Sequence, residues 1–492
     1  MSDLFDNSYS SQVRPMLRGR RGAIAAAHPL ATAAGQQMFE RGGNAADAVI
    51  AAQAVLCVIA PNSCGLGGDL LALVNDADGE TVAVSATGAA PAGLVAASHD
   101  GANSVTVPGI VSGWECMARR WAHLPLAILL GPAIEIATQG FALPTSLMLD
   151  VEAQRVRLLA GGAGEWILLK TAAGDHVTQP HLGGLLRRIA ADGAAAFYQG
   201  DSAAAIERAI ARGGGTLNRH DLAAHSTELR AAITVSFGAW RVAVQPPPTQ
   251  GILLAMALAA LDAWGANDAP LLDHLCVELT EAAFAYRARS AEGSDLLAIP
   301  LEVDPARAAR RGGPRAYLHT AGVAAADATG MTVSSLVSVF DDFGSCIFVP
   351  ELGLTLNNRA AGFTDGPNAA APGKRPVHTL APILLSDGAR RIGLATPGAD
   401  GQVQTLLQIL AKLVRQGTSL PHAVSAPRWR SEGGALLVEE GHPHCQTLAR
   451  RGHDTMIVKA GDTRFGAIVC AAFDEGPAAL ADWRRECWAG IA

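Results

Sequence analysis

The sequence predicts a mixed α/β (α+β) globule of two or three structural units, and three observations lead there. The chain is 492 residues long, 49% hydrophobic and only 17% charged, which supplies a large core and too little charge for long disorder. Residues 319–343, HTAGVAAADATGMTVSSLVSVFDDF, read as two strands joined by a tight turn at Ala328-Thr329-Gly330. Small and branched residues run on either side of that punctuation. Residues 45–59 are nearly all small or aliphatic, as in a buried helix, and an apolar strand at 70–74 follows a glycine-rich turn.

In chain order, residues 1–21 form a polar arm. Residues 30–41 have helical spacing, with Leu30, Ala34 and Met38 on one face, and Gly42-Gly43 stops them. Asn44 is placed to cap the buried helix, which Pro61 ends. Residues 80–110 read as strands and loops, and residues 114–225 as helices broken by glycine pairs. A strand is expected over 233–244, a rigid loop at QPPPTQG (245–251) and a long helical stretch over 252–290. Residues 291–319 are polar and rich in proline, glycine and arginine, an exposed segment suited to cleavage. A strand at 392–395 leads into TPGADGQ and a helix over 403–416.

Several function classes lack their signatures. A net charge of −7 leaves no basic footprint for nucleic acid or an anionic membrane surface. No apolar run reaches the roughly 20 residues needed to span a bilayer. Residues 18–35 imitate a signal peptide weakly, but His28-Pro29 interrupts them and Asp3 and Asp6 precede them, so a cytoplasmic protein is expected. The eight cysteines are scattered, with no CxxC pair, and are expected to be free thiols. His442, His444 and Cys445 in GHPHC are close together, but glycine and proline make that stretch a turn, and no metal is assigned. Gly65-Leu66-Gly67-Gly68 follows a helix and precedes a strand, the reverse of the dinucleotide-binding order. No HExxH or GxSxG is present, phosphate-loop spacing fails, and no cofactor is expected.

What remains is a threonine, Thr320, at the mouth of a strand. Cutting the chain just before it would set a new α-amine beside its own hydroxyl, and that amine could serve as the base. The chain is similar to the γ-glutamyltransferase family of N-terminal-nucleophile hydrolases. The resemblance spans roughly residues 22–480 and rests on the order of GGNAADAVIA, SCGLGGD, VPGIVSGW, FGSCI, LTLNNR, GKRPVHTLAP and PGADGQ. It implies a four-layer αββα sandwich and a precursor that cuts itself between His319 and Thr320. The products would be a segment 1–319 and a segment 320–492 that stay together as a heterodimer, with further dimerisation left open. It makes Thr320 the nucleophile, Ser338 the second hydroxyl beside it, and Asp327 a kept aspartate. The oxyanion would be held by the backbone N–H groups of Gly398 and Ala399.

The departures bear on substrate. Residues 90–97 lack the arginine that grips a γ-glutamyl carboxylate in the family. The resemblance puts Phe340 where an asparagine stands, Gly362 in place of an acidic residue, and His378 and Thr379 in place of paired serines. Losing several polar contacts from one pocket weakens γ-glutamyl recognition. Arg359, His378, Thr379 and Phe340 become the candidate substrate-binding residues. The NNR and KRPxHTLAP forms resemble the branch containing oxamate amidohydrolase, and an arginine suits a small carboxylate. The plainer alternative for Arg359 is an ion pair holding a loop, and for His378 a core histidine satisfied by backbone. The expected function is therefore hydrolysis of a small acyl amide. Two alternatives stand beside it. One is C–C cleavage releasing an oxalyl-like fragment, as thought for homologues in antibiotic pathways. The other is an uncut, inactive homologue that binds a ligand.

Overall fold

The computed structural model describes residues 12–311 and 320–492. Two antiparallel sheets of seven strands form its centre. One runs Trp488–Ile491, Gly22–Ala26, Ala321–Asp327, Thr332–Ser338, Asp69–Asn75, Thr81–Ala86 and Glu228–Ala231. The other runs Leu17–Arg18, Pro477–Ala481, Val469–Phe473, Arg391–Ala395, Ile383–Ser386, Trp240–Val244 and Ile233–Phe237. The layer between the sheets is built largely from alanine, including Ala23, Ala25, Ala324, Ala326, Ala395, Ala471 and Ala479. The alanine richness of the sequence is thus spent partly on a narrow seam between sheets.

Helices cover both outer faces. Pro29–Glu40 and Ala45–Ile59 pack on the first sheet within a large apolar cluster. Gly251–Trp264 packs on the second, and Ala269–Phe284 and Gly401–Leu410 pack against that helix within the same apolar cluster. The result is a four-layer αββα sandwich, as expected. Among the described residues no helix is long and apolar enough to cross a membrane, and all eight cysteines are free.

The buried helix has the expected bounds. Asn44 accepts from the N–H groups of Ala46 and Asp47 while the Asp47 carboxylate accepts from the Asn44 N–H, a complete capping box. Gln53, the one polar side chain in its middle, donates to Ser335 Oγ at 2.6 Å and accepts from Trp114 Nε1 at 3.0 Å. Its polar atoms are therefore satisfied inside the core.

Three expected elements differ. Residues 233–244 are a hairpin, Ile233–Phe237 and Trp240–Val244, because Gly238 turns the chain at φ +59°. Residues 252–290 break at Gly265, which takes the left-handed conformation after Gly251–Trp264. The helix placed at 403–416 is regular only over Gly401–Leu410 and continues as a wider π turn through Arg415.

Candidate active site

Thr320 immediately precedes the strand Ala321–Asp327 and is 5% exposed. Ala321 pairs with Val337, so one step outward Thr320 faces Ser338, and Ser338 pairs with Asp69 on its other side. Side chains alternate faces along a strand. Ala324 and Ala326 point between the sheets, which places Thr320 on that face; Leu336 does the same for Ser338 and Leu71 for Asp69. Thr320, Ser338 and Asp69 therefore stand in a row across one end of the inter-sheet layer. His319 lies outside the described residues.

The row is held by the hairpin. Gly330 turns at φ +91° and its N–H donates to the Asp327 carbonyl at 3.0 Å. The Asp327 carboxylate accepts from Thr329 on one side and, at 3.0 Å, from the Ala45 N–H that opens the buried helix. The aspartate named from the resemblance thus ties this hairpin to the helix beneath it.

On one side of the row Thr320 lines a cavity of about 580 Å³, together with His28, Leu56, Ile59, Leu147 and Pro397. Pro397 belongs to the turn that follows the strand Arg391–Ala395. Gly398 sits at φ +122° and Ala399 at +47°, an uncommon angle for a side-chain-bearing residue. The Gly398 carbonyl accepts from Gly401 at 2.7 Å, and the Ala399 carbonyl accepts from Gln402 and from Gln250 Nε2. In a trans peptide the N–H points opposite to the carbonyl. The N–H groups of Ala399 and Asp400 are accordingly turned away from the helix Gly401–Leu410. Arg430, itself buried, packs beneath this turn: a Cβ added to Gly401 would meet its Nη1 at 2.5 Å.

On the other side of Ser338 the remaining predicted residues gather round Asp69. Arg359 Nε donates to Asp69 Oδ2 at 3.0 Å, with both side chains wholly buried. Its guanidinium lies over the Phe340 ring, 4.5 Å from the centroid, and Nη1 reaches Thr379 Oγ1 at 3.4 Å. His378 Nδ1 accepts from the Leu380 N–H, so the neutral ring carries its proton on Nε2, which faces Asp69 Oδ2 at 3.2 Å. Burial, helped by the Arg359 charge, lowers the His378 pKa to about 4. Burial would raise the Asp69 pKa, but the His378 hydrogen bond and the Arg359 charge outweigh it and hold the carboxyl below its usual range. The cluster is one arginine–carboxylate pair with a neutral histidine. Phe340 has φ +85°, and Ser338 Oγ accepts from its N–H at 2.9 Å. A bulky residue with positive φ beside the candidate second hydroxyl is strained backbone of the kind that concentrates at functional sites. None of Arg359, His378, Thr379 and Phe340 lines the cavity on the Thr320 side.

The sequence matches the family described as Gamma-glutamyltranspeptidase over residues 31–311 and 302–490. The chain belongs to the γ-glutamyltranspeptidase family. Among similar relatives is an acylase ACY 1 proenzyme from Pseudomonas sp. (strain SE83), 32% identical, with 88% of this chain and 87% of the relative covered. Another is an oxamate amidohydrolase proenzyme from Klebsiella pneumoniae, 30% identical over 89% of this chain and 92% of the relative. Among solved structures, the cephalosporin acylase from Bacillus halodurans superposes with a TM-score of 0.89 at 26% identity, covering 99% of each chain. Members of this family are hydrolase proenzymes, and the fold here is the N-terminal-nucleophile sandwich they share.

Two residues of this family member were missed in the sequence. Asp69 ends the quoted SCGLGGD motif, yet nothing local ties it to Arg359, 290 positions away. His28 lines the Thr320 cavity; its Nδ1 accepts from the Leu30 N–H at the start of Pro29–Glu40. Its Nε2 lies 4.0 Å from Glu486 Oε2, another residue lining the cavity, and burial lowers the His28 pKa against the opposing pull of that carboxylate. The available signal was the pair His28-Pro29, a histidine one residue before a helix-opening proline.

Proposed function

We propose that the chain cuts itself between His319 and Thr320 and then hydrolyses the amide of a small, non-glutamyl acyl compound. The observation that carries the reading is the row of Thr320 and Ser338 at one end of the inter-sheet layer, with Pro397, which leads into the Gly398–Ala399 turn, lining the same cavity as Thr320. The precursor names of the acylase and amidohydrolase relatives support both steps.

In the first step the Thr320 hydroxyl attacks the His319 carbonyl and its oxygen replaces the peptide nitrogen. Water then hydrolyses the ester. The segments 1–319 and 320–492 remain paired, because Ala321–Asp327 pairs with Gly22–Ala26 and Thr332–Ser338 pairs with Asp69–Asn75, each partner a strand of the first segment. In the second step the freed α-amine, with a reference pKa of about 8, takes the hydroxyl proton as oxygen attacks the substrate carbonyl, and returns it to the leaving amine. The Ser338 hydroxyl accepts from the Phe340 N–H and so keeps its own proton for Thr320 Oγ. N–H groups of the 398–400 turn hold the oxyanion. Water resolves the acyl-enzyme. The free thiols fit a reducing compartment, and the reading places the enzyme in the cytoplasm.

The γ-glutamyl group is disfavoured because Arg359 is committed to Asp69, and residues 90–97 carry no arginine to replace it. Processed protein assayed on a panel of simple acyl amides, oxamate and a γ-glutamyl anilide tests this. At least one non-glutamyl amide should exceed the γ-glutamyl compound in kcat/KM by ~10² or more, the worth of about 3 kcal/mol of lost contacts. Preference for the γ-glutamyl compound would overturn the substrate assignment.

A further inference from the structure

Away from the candidate active site, one side-chain cluster has an unused buried nitrogen. Asp273 lies on the helix Ala269–Phe284 and faces the turn after the strand Ala435–Glu439, where Gly441, at φ +85°, sets His442 and His444 side by side. Asp273 Oδ2 accepts from His444 Nδ1 at 2.5 Å. His442 Nε2 points at the same oxygen from 3.7 Å, beyond hydrogen-bond reach. It is buried and has no hydrogen-bond partner among the described residues. The three donor atoms lie within 4.8 Å of one another.

We propose that Asp273, His442 and His444 form a binding site for one divalent transition-metal ion of the zinc type. Two imidazoles and a carboxylate are a zinc donor set, with bonds of about 2.0–2.2 Å. Three ligands leave a fourth position for water, and the part-exposed His444 gives access from solvent. In the empty site His442 Nδ1 accepts from the His444 N–H at 3.2 Å. Metal binding at Nε2 moves that ring's proton to Nδ1 and gives up this long contact, while the His444 proton moves to its outer nitrogen, so no proton is released. Lys412 acts on both Asp273 and His442, and its charge opposes the ion.

The second buried group of this type, His274, Glu278 and His453, carries no such site. His274 Nδ1 meets His453 Nε2 at 2.8 Å, His274 Nε2 meets the Asp304 carbonyl, and Glu278 holds Arg311 at 2.9 Å. If the chain is cut before Thr320, as proposed above, the ion would clip a helix of the first segment to a turn of the second. The binding itself does not depend on that cut.

The full chain, stripped with EDTA and desalted, is incubated with Zn²⁺ or Co²⁺, freed of excess and assayed by elemental mass spectrometry and visible spectroscopy. About one equivalent of zinc is expected, with a Co²⁺ ligand-field band of low-coordinate type. Asp273→Asn and His444→Gln should each drop below ~0.1 equivalent, His453→Gln should keep the metal, and Lys412→Gln should bind roughly tenfold tighter, a gain expected from removing one opposing charge. The uncleaved Thr320→Ala chain should load equally, which separates this site from self-cleavage. Absence of Zn²⁺ and Co²⁺ uptake by the wild-type chain would overturn the site, as would uptake unchanged in Asp273→Asn and His444→Gln.

Discussion

At Arg359 the charge is held wholly out of water against Asp69. Two buried charges repay their desolvation only while both are present, so removing one partner is costly. Arg359→Met is expected to destabilise the protein by about 3–5 kcal/mol, read as a lower denaturant midpoint; an unchanged midpoint would contradict the pairing. The arginine itself was legible in NNR, as was the chance that it serves an ion pair. Its partner was not, because the contact depends on the register that sets Asp69 beside Ser338. The same holds for Thr320 and Ser338. Each is an ordinary hydroxyl in the sequence, and only strand alternation puts both on the inner face. His28 shows the converse limit: its helix-start position was visible, but the cavity it lines is completed by residues hundreds of positions away, such as Thr320 and Pro397.

Elements were legible where local signals agree. Asn44, the aliphatic run and Pro61 mark the buried helix, and tertiary packing has no reason to override them. Asn44→Ala should cost about 1–2 kcal/mol, the usual worth of a cap. It also removes the Asn44 Nδ2 bond to the Trp121 carbonyl at 2.6 Å. A loss near zero in urea denaturation would show the cap to be idle. The glycine run Gly65-Leu66-Gly67-Gly68 reads as a turn in sequence, but its role is close approach. A Cβ on Gly68 would lie 2.4 Å from the Ser338 carbonyl oxygen, and one on Gly67 2.1 Å from that of Thr355. Backbone cannot yield as a flexible side chain can. Gly68→Ala should therefore displace Ser338, slow self-cleavage at least tenfold, and cost about 1–3 kcal/mol of overpacking. Wild-type cleavage kinetics in that variant would contradict the role given to Ser338. The strand read across 233–244 failed because Gly238 turns it back, and single-sequence alternation does not register a two-residue reversal.

Across the whole molecule, burial keeps several histidines neutral. The pKa values of His225, His378 and His453 are each pushed down to about 4, with burial the largest cause. Unfolded, each takes a proton below about pH 6.5. Between pH 6.5 and 4 these three rings thus bind more protons unfolded than folded, and their contribution to stability falls as pH drops through that window. Denaturant midpoints at pH 7, 5.5 and 4.5 should decrease in that order, and a flat profile would contradict the buried neutral rings. The sandwich itself was reached through the family resemblance; residue patterns alone yielded a mixed α and β chain. Which strands pair, and that two alanine-lined sheets face each other, depends on contacts far apart in the chain.

The reading of Thr320 is tested most directly by intact mass and N-terminal sequencing of the purified wild-type protein beside Thr320→Ala. Two chains are expected from the wild type, the smaller beginning at Thr320, and one uncut chain from the variant. A wild-type chain that stays whole, a fragment beginning at another residue, or cleavage that persists in Thr320→Ala would contradict it.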